Sequence, residues 1–547
     1  MSYFFALILA FYLTVTITPL IRRGALRLGM VDVPNERKVH ASPVPRAGGV
    51  AMAVGIIVPL LVWVPMDTRF KAFIAGMVII FIFGLLDDLY EIDYKKKFLG
   101  QILAVVVTII TGKFWITNLG MWTGEEILIP PVLGIPLTAF FILGVTNAIN
   151  LADGLDGLAG GMCILTFACI GFLAFRQEET SIVLASLIMI GAILGFLRYN
   201  TFPANIFLGD TGSQMLGFSA ALLSLYLTQS EHSPLARTLP LLIIGLPIMD
   251  TLTVMVRRIM RGRSPFKPDK THFHHQIMDL GASHVGSVAL IYLLQSLMIF
   301  LSIYLEYDTA GDVFIIFIII FSGILLFFYI GKNYNISVYK ALAWGKDWAE
   351  TLGSTKIANI SKKWLLRALQ IVLAAGLTVL AVSSTPTFRR WELLLFFFII
   401  VGMFISRKLN KTIFNNLVRY SIYLIGIYFL FSMQNEKLIF FDIPVRLFNY
   451  IFWGTLASIL VMYLVITKFR ELEISSLDYL LMLLVVIITF LPFEQIDQYQ
   501  LPMVTIAMII LLWSSEVILQ NKRGTWNTLS ITSVVNILII GGKAILN

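Results

Sequence analysis

Residues 146–161, TNAINLADGLDGLAGG, end an apolar stretch with two asparagines and two aspartates. Asp153 and Asp156 are three apart, a spacing that puts both carboxylates on one face if the turn is helical. Gly154, Gly157, Gly160 and Gly161 around them let a ligand approach the backbone. A carboxylate at membrane depth costs ~2.5–3.5 kcal/mol, so two of them beside Asn147 and Asn150 point to a site. The plainer alternative is a polar loop that caps the preceding helix.

Three further runs carry chemistry of related kinds. Asp87 and Asp88 are adjacent, with Glu91 and Asp93 following. Such a pair suits Mg²⁺ held through carboxylates plus substrate phosphates, or else is a solvated acidic helix end. Lys97, last of three lysines, marks a membrane face or reaches a phosphate. In FLGDTGS, Asp210 stands at a tight turn into an apolar helix. Free N–H groups there favour anions, and the carboxylate can take a metal or cap the helix. No GxxxxGK[ST] loop is present. THFHH contributes His272, His274 and His275, half of the six histidines. Zinc lacks a cysteine or HExxH partner, so anion or sugar recognition suits this basic loop better. Asp250 is a lone intramembrane acid that either lines the cavity or pairs with an arginine such as Arg257.

The elements that must position these groups follow from composition. Hydrophobic residues make up 58% of the 547 and charged residues 13%, and mean hydropathy is +0.86. Soluble chains run at about 25% charged. The expected class is therefore an all-α polytopic membrane protein. Cys163 and Cys169 imply no disulfide framework and make a poor metal site. Residues 3–21 lack a basic leader and precede Arg22 and Arg23, which predicts an uncleaved first span with its N-terminus outside.

Apolar runs long enough to span fall near 3–21, 48–66, 70–86, 98–112, 133–149, 159–175, 181–197, 207–227, 237–256, 286–304 and 312–330. Candidates also fall near 365–383, 391–405, 413–432, 446–467, 477–492, 501–519 and 528–545. The expectation is thus about 11 helices in a core and about 7 in an extension. Loops 22–47, 87–97 and 257–285 are basic, while those around 178–180 and 306–312 are nearly free of Lys and Arg. This threading satisfies the positive-inside rule and accounts for the net charge of +9 without nucleic acid. It also places every polar motif at the inner face. A transporter would gather polar groups near the midplane on broken helices, whereas this pattern favours chemistry between a cytosolic donor and a lipid-borne acceptor.

Five motifs in order carry a family resemblance: DVPNERKVHASPVPRAGG at 32–49, GLLDDLYEID with KFLGQ, NAINLADGLDGLAGG, FPANIFLGDTGS, and RSPFKPDKTHFHHQIMDLGASH at 263–284. Over roughly residues 1–332 the chain resembles the polyprenyl-phosphate N-acetylhexosamine-1-phosphate transferases, the bacterial branch using UDP-N-acetylglucosamine above all. The resemblance implies transfer of a sugar 1-phosphate from a UDP-sugar to undecaprenyl phosphate at the cytoplasmic face of the bacterial inner membrane. UMP leaves, and a lipid-linked cell-envelope polysaccharide is begun. It implies Mg²⁺, with Mn²⁺ as a substitute, and Asp210 as its ligand. Asp87 is placed at the acceptor phosphate, with Asp88 supporting it and Lys97 as a phosphate contact. Asn147, Asn150, Asp153, Asp156, Asn200 and Phe207 are placed at the nucleotide, Phe207 against the uracil ring. His274 and His275 fall near the diphosphate and sugar, with His272 and a loop arginine, Arg258, completing the cage.

Residues 333–363 mix lysines with Trp344 and Trp348 and read as an inner-surface linker. Residues 364–547 form a further membrane domain with no catalytic cluster, suited to an assembly platform for downstream glycosyltransferases, a flippase-like module or plain structure. A homodimer is a further arrangement open to the chain. Two rivals to the transferase reading are a transporter or flippase of lipid-linked sugars and an intramembrane prenyltransferase. The latter needs two DxxxD-like helices and leaves the histidine loop without a task.

Overall fold

Inside a bilayer no water can satisfy backbone N–H and C=O groups, so apolar segments of this length close their hydrogen bonds internally as helices. The computed structural model describes residues 2–32, 43–122, 124–230, 233–262, 271–333, 356–384, 392–409, 411–432, 445–466, 480, 483, 501–521 and 528–546. The chain is an all-α polytopic membrane protein. Eight of the described helices are long and apolar enough to cross a membrane, and shorter apolar helices accompany them. Two compact units are distinguished, residues 1–341 with 475–484, and residues 342–474 with 485–547.

The first unit begins with α1 (Ser2–Leu28), α2 (Gly48–Trp63), α3 (Thr68–Tyr90) and α4 (Tyr94–Gly112), followed by α5 (Pro131–Ala152), α6 (Leu158–Arg176), α7 (Thr180–Asn200) and α8 (Gly209–Thr228). Helix α8 is the hub. Every residue from Thr211 to Thr228 is buried, and α2, α3, α5 and α6 pack around it. Small residues permit this approach. A Cβ on Gly217 would lie 2.7 Å from the Thr146 Cα on α5, and one on Gly84 would lie 2.6 Å from the Thr211 Cα. Hydroxyls inside the bundle are satisfied locally, as when Thr146 donates to the Ile142 carbonyl at 2.7 Å and Ser219 to that of Met215 at 2.7 Å.

Two small antiparallel pairs depart from the all-helical expectation. Strands β1 (Val31–Asp32) and β2 (Val44–Pro45) join outside the helices, as do β3 (Asn118–Met121) and β4 (Glu126–Leu128). Beyond β2, Arg46 bridges Phe207 in parallel. The Phe207 N–H donates to the Pro45 carbonyl at 2.8 Å, and Gly48 N–H to that of Phe207 at 2.9 Å. The segment before α2 is thereby fastened to the segment that opens α8.

The run expected as one span at 237–256 is broken at Ile244 into α9 (Pro240–Ile243) and α10 (Gly245–Met260). Pro247 has no N–H to offer Ile243 four residues back. The freed Ile243 carbonyl instead accepts from Gln295 Nε2 at 2.8 Å and from Thr166 Oγ1 at 3.3 Å. A short helix α11 (Phe273–Asp279), then α12 (His284–Tyr304) and α13 (Ala310–Asn333), complete the described part of this unit.

The second unit holds α14 (Lys356–Ser383), α15 (Glu392–Leu409), α16 (Lys411–Ser432), α17 (Val445–Ile466), α18 (Leu501–Asn521) and α19 (Thr528–Leu546). Most of the candidate span at 477–492 and most of the expected linker at 333–363 lie outside the described residues. Within this unit a buried Arg419 on α16 meets Glu516 on α18, with Nε–Oε2 at 2.7 Å and Nη2–Oε1 at 3.0 Å.

Candidate active site

The C-terminal ends of α3, α5 and α7 and the N-terminal ends of α4, α6 and α8 meet at one end of the first unit. They surround a cavity of about 770 Å³. Asp87, Asp88, Asn150, Asp153, Asp156, Asn200, Phe207, Asp210, His274 and His275 all line it. Four stretches far apart in sequence thus converge on one space.

Asp87 and Asp210 face each other across Lys97. Its Nζ lies 3.4 Å from Asp87 Oδ2 and also pairs with Asp210 Oδ2. Asn150 Nδ2 donates to Asp210 Oδ1 at 2.6 Å and to Ser213 Oγ at 2.8 Å, fixing that carboxylate from the opposite side. Asp88 is turned elsewhere. Its carboxylate accepts the Asp210 N–H at 2.8 Å, the Thr211 N–H at 3.0 Å and the Thr211 hydroxyl at 2.5 Å. It caps α8 from another helix, satisfying N–H groups that no preceding turn can reach. Gly209 (φ +73°) makes the turn possible, and a Cβ there would lie 2.6 Å from Asp88 Oδ2.

Asp153 and Asp156 do not share a helical face. Helix α5 ends at Ala152, and a non-helical turn runs to Gly157, which is left-handed (φ 82°). The glycines of this turn interrupt the helix. Burial pushes the Asp153 carboxyl up to about 7, with the negative charges of Asp210, Asp156 and Asp88 adding to the shift. Asp156 Oδ2 accepts the Ala204 N–H at 2.9 Å. Asn200 Oδ1 accepts the Gly157 N–H at 2.9 Å, and its Nδ2 donates to the Ile206 carbonyl at 3.0 Å. Asp156 and Asn200 therefore tie the two loops on the cavity wall to each other.

The histidine segment is anchored by Asp250. Its Oδ2 lies 2.8 Å from His272 Nδ1 and its Oδ1 accepts the Phe273 N–H at 2.7 Å. The partner of this intramembrane acid is thus His272, which a shared place on the sequence could not reveal. His272 is buried against it and does not line the cavity, unlike His274 and His275. His274 packs so close to the backbone that a Cβ on Gly154 would lie 2.4 Å from its ring. Burial, then the nearby His275, His272 and His284, push His274 down to about 3, so its ring is neutral.

Three other expected residues are not on the wall: Lys97, held between Asp87 and Asp210, and Asn147 and Arg258. Asn147 Nδ2 donates to Gln101 Oε1 at 2.9 Å and to the Leu143 carbonyl at 2.8 Å. Arg258 is buried on α10 and does not line the cavity. Conversely, the cavity includes residues not singled out as site residues from sequence: Asp32, Arg46, Glu91, Ser213 and His284. His284 stacks on Phe202 at 4.3 Å and its Nε2 accepts the Asp156 N–H at 3.3 Å. Both Arg46 and His284 lie within the quoted motifs, which was the available signal.

The cavity is thus acidic, edged by a cation and set at the ends of apolar helices of a polytopic membrane protein. The model for glycosyl transferase family 4 matches residues 70–228. The chain is 39% identical over 318 residues to the probable undecaprenyl-phosphate N-acetylglucosaminyl 1-phosphate transferase of Bacillus subtilis (strain 168), covering 58% of this chain and 88% of the relative. It is 32% identical over 319 residues to the undecaprenyl-phosphate alpha-N-acetylglucosaminyl 1-phosphate transferase of Escherichia coli (strain K12), covering 57% and 86%. It is 34% identical over 304 residues to the decaprenyl-phosphate N-acetylglucosaminephosphotransferase of Mycolicibacterium smegmatis, covering 50% and 74%. The chain belongs to this family of polyprenyl-phosphate N-acetylglucosamine-1-phosphate transferases, within glycosyl transferase family 4.

Proposed function

We propose that the protein transfers N-acetylglucosamine 1-phosphate from UDP-N-acetylglucosamine to undecaprenyl phosphate, releasing UMP, at the cytoplasmic face of the bacterial inner membrane. The product would begin a lipid-linked cell-envelope polysaccharide. The observation that carries the reading is the convergence of Asp87 and Asp210, from separate helices, on Lys97 at one cavity. The names of the relatives supply the acceptor class and the sugar.

In this reaction an acceptor phosphate oxygen attacks the phosphorus bearing the sugar. A P–O bond forms to the lipid phosphate, and the bond to the bridging oxygen breaks with UMP as leaving group. A phosphate monoester is largely dianionic above its second pKa of ~6, so direct attack needs no general base. The chain's task is alignment and neutralisation of charge. Lys97 supplies charge between the carboxylates, Asn150 holds Asp210 in orientation, and the neutral His274 offers a hydrogen bond. Phe207, on the wall, offers a ring face to the uracil.

The residues fit Mg²⁺. No cluster of three or more His, Cys, Asp or Glu able to hold a metal exists among the described residues. Mg²⁺ ordinarily needs only one or two carboxylates, with water and substrate phosphates completing its shell. Asp210 and Asp87 provide that donor set. When bound, the ion would neutralise charge on the phosphates during transfer.

Membranes containing the protein, given undecaprenyl phosphate, Mg²⁺ and a panel of UDP-N-acetylhexosamines, should release UMP with the N-acetylglucosamine donor. Asp210→Asn should lower the rate by about 10²–10³ while leaving membrane insertion intact. Absence of UMP with every donor would overturn the reading.

A further inference from the structure

The cavity has an unbalanced charge inventory. Seven carboxyl side chains line it, against a single guanidinium, that of Arg46, and no lysine, among the described residues. Lys97 is engaged between Asp87 and Asp210, and His274 is neutral. An anionic phosphate entering this space meets repulsion on most sides, and Arg46 is the one described cation on the wall able to offer a planar fork of donors.

Its placement is built rather than incidental. The backbone of Arg46 is held twice, by its N–H on the Met30 carbonyl at 3.0 Å and by the bridge to Phe207. Phe207 is three residues before Asp210, so this fastening fixes Arg46 relative to the acidic pair. Asp32, itself buried, pairs with Nη2 and anchors one side of the guanidinium. The other side is held loosely. Glu91 lies 3.6 Å from Nη1, beyond hydrogen-bond reach, and its side chain is 83% exposed. Glu91 also ends α3 in a left-handed conformation (φ +47°), four residues after Asp87.

We propose that Arg46 is a phosphate-binding residue of this cavity, anchored by Asp32, and that it exchanges its contact with Glu91 for a substrate phosphate oxygen. Glu91 is then a competing carboxylate that holds the guanidinium in the free enzyme and lowers its affinity for phosphate. The inference rests on the transferase reading for the identity of the phosphate. That phosphate belongs either to the diphosphate of the nucleotide donor or to the monoester of the lipid acceptor, two sources with one chemistry.

The test is steady-state UMP release with the donor and the acceptor varied separately. Wild-type turnover establishes the transferase reading independently; the variants address Arg46 alone. Arg46→Gln should raise the KM of one substrate about ten- to hundred-fold, the loss expected for a charge-assisted contact. Arg46→Lys should recover only part of it, since an ammonium cannot form the bidentate fork. Whichever KM moves identifies the source. Glu91→Gln removes the competitor and should lower that same KM about two- to five-fold, as expected for a partly exposed ion pair. Loss of one wall carboxylate eases entry of an anion by itself, so the gain counts for Arg46 only if it shrinks when Glu91→Gln is made in the Arg46→Lys background. Unchanged KM values in Arg46→Gln, or a rise of KM in Glu91→Gln, would overturn the proposal. Loss of folding in Arg46→Gln leaves the decision to Glu91→Gln.

Discussion

Asp87 and Asp88 are neighbours in sequence, yet their carboxylates point to different tasks. Asp87 faces Lys97 in the cavity, while Asp88 accepts three hydrogen bonds from the first turn of α8. Asp88→Ala should therefore destabilise the protein by about 1–2 kcal/mol, the usual cost of losing a helix cap. It should also lower the transfer rate, because the N–H groups that set Asp210 lose their partner. Thermal unfolding in detergent checks the first effect; an unchanged melting temperature would remove the capping role. His274 gives a pH prediction. Its folded value, about 3, lies below the ordinary 6.5. Between these values the unfolded chain binds more protons, so the stability that this residue contributes is present above about 6.5 and falls as pH drops toward 3. His274→Gln should flatten that part of the melting-temperature profile measured from pH 7.5 down to pH 4.5. A profile identical to that of the wild type would show that burial of the neutral ring has no such consequence.

At the scale of elements, the histidines depend on a helix that contributes nothing to the cavity wall. Helix α10 starts where Pro247 breaks the preceding run, and it carries Asp250 to His272 and to the N–H that opens α11. His274 and His275 reach the cavity because α11 is held at its first turn. Asp250→Ala leaves a buried imidazole and an N–H without their acceptor, a loss of about 1–3 kcal/mol each at most. The expected outcome is a fall in transfer rate per folded molecule, partly restored in Asp250→Asn, which still accepts the Phe273 N–H. If Asp250→Ala turns over at the wild-type rate, this anchoring does not position the histidines. The acids and histidines stood out because charge in apolar sequence is costly. Their partners did not, because Asp250 and His272 are 22 residues apart, and Asp88 and Thr211 are 123 apart.

At the scale of the whole molecule, the residues lining the cavity all precede residue 285, and the Bacillus subtilis relative covers 58% of the chain. The chain cut after Asn333 is expected to retain UMP release within about ten-fold of the full protein, roughly 1.4 kcal/mol on the barrier; complete loss would show that residues beyond 333 are needed for an active transferase. In that unit the Arg419–Glu516 pair joins α16 to α18. Composition and hydropathy already determined that this is a helical membrane protein, because a bilayer leaves the backbone no other way to satisfy its hydrogen bonds. The helix positions followed from the apolar runs, and the polar motifs from the expense of charge among them. Tertiary structure decided which polar groups face one another. It separated Asp87 from Asp88, made Asp156 and Asn200 ties between loops, withdrew His272, Asn147 and Arg258 from the wall, and brought Arg46 to it. The physical reason is that side-chain direction at a helix end depends on where the helix stops and what packs against it. Those two conditions are set by glycine turns and by partners distant in sequence, which no local pattern encodes.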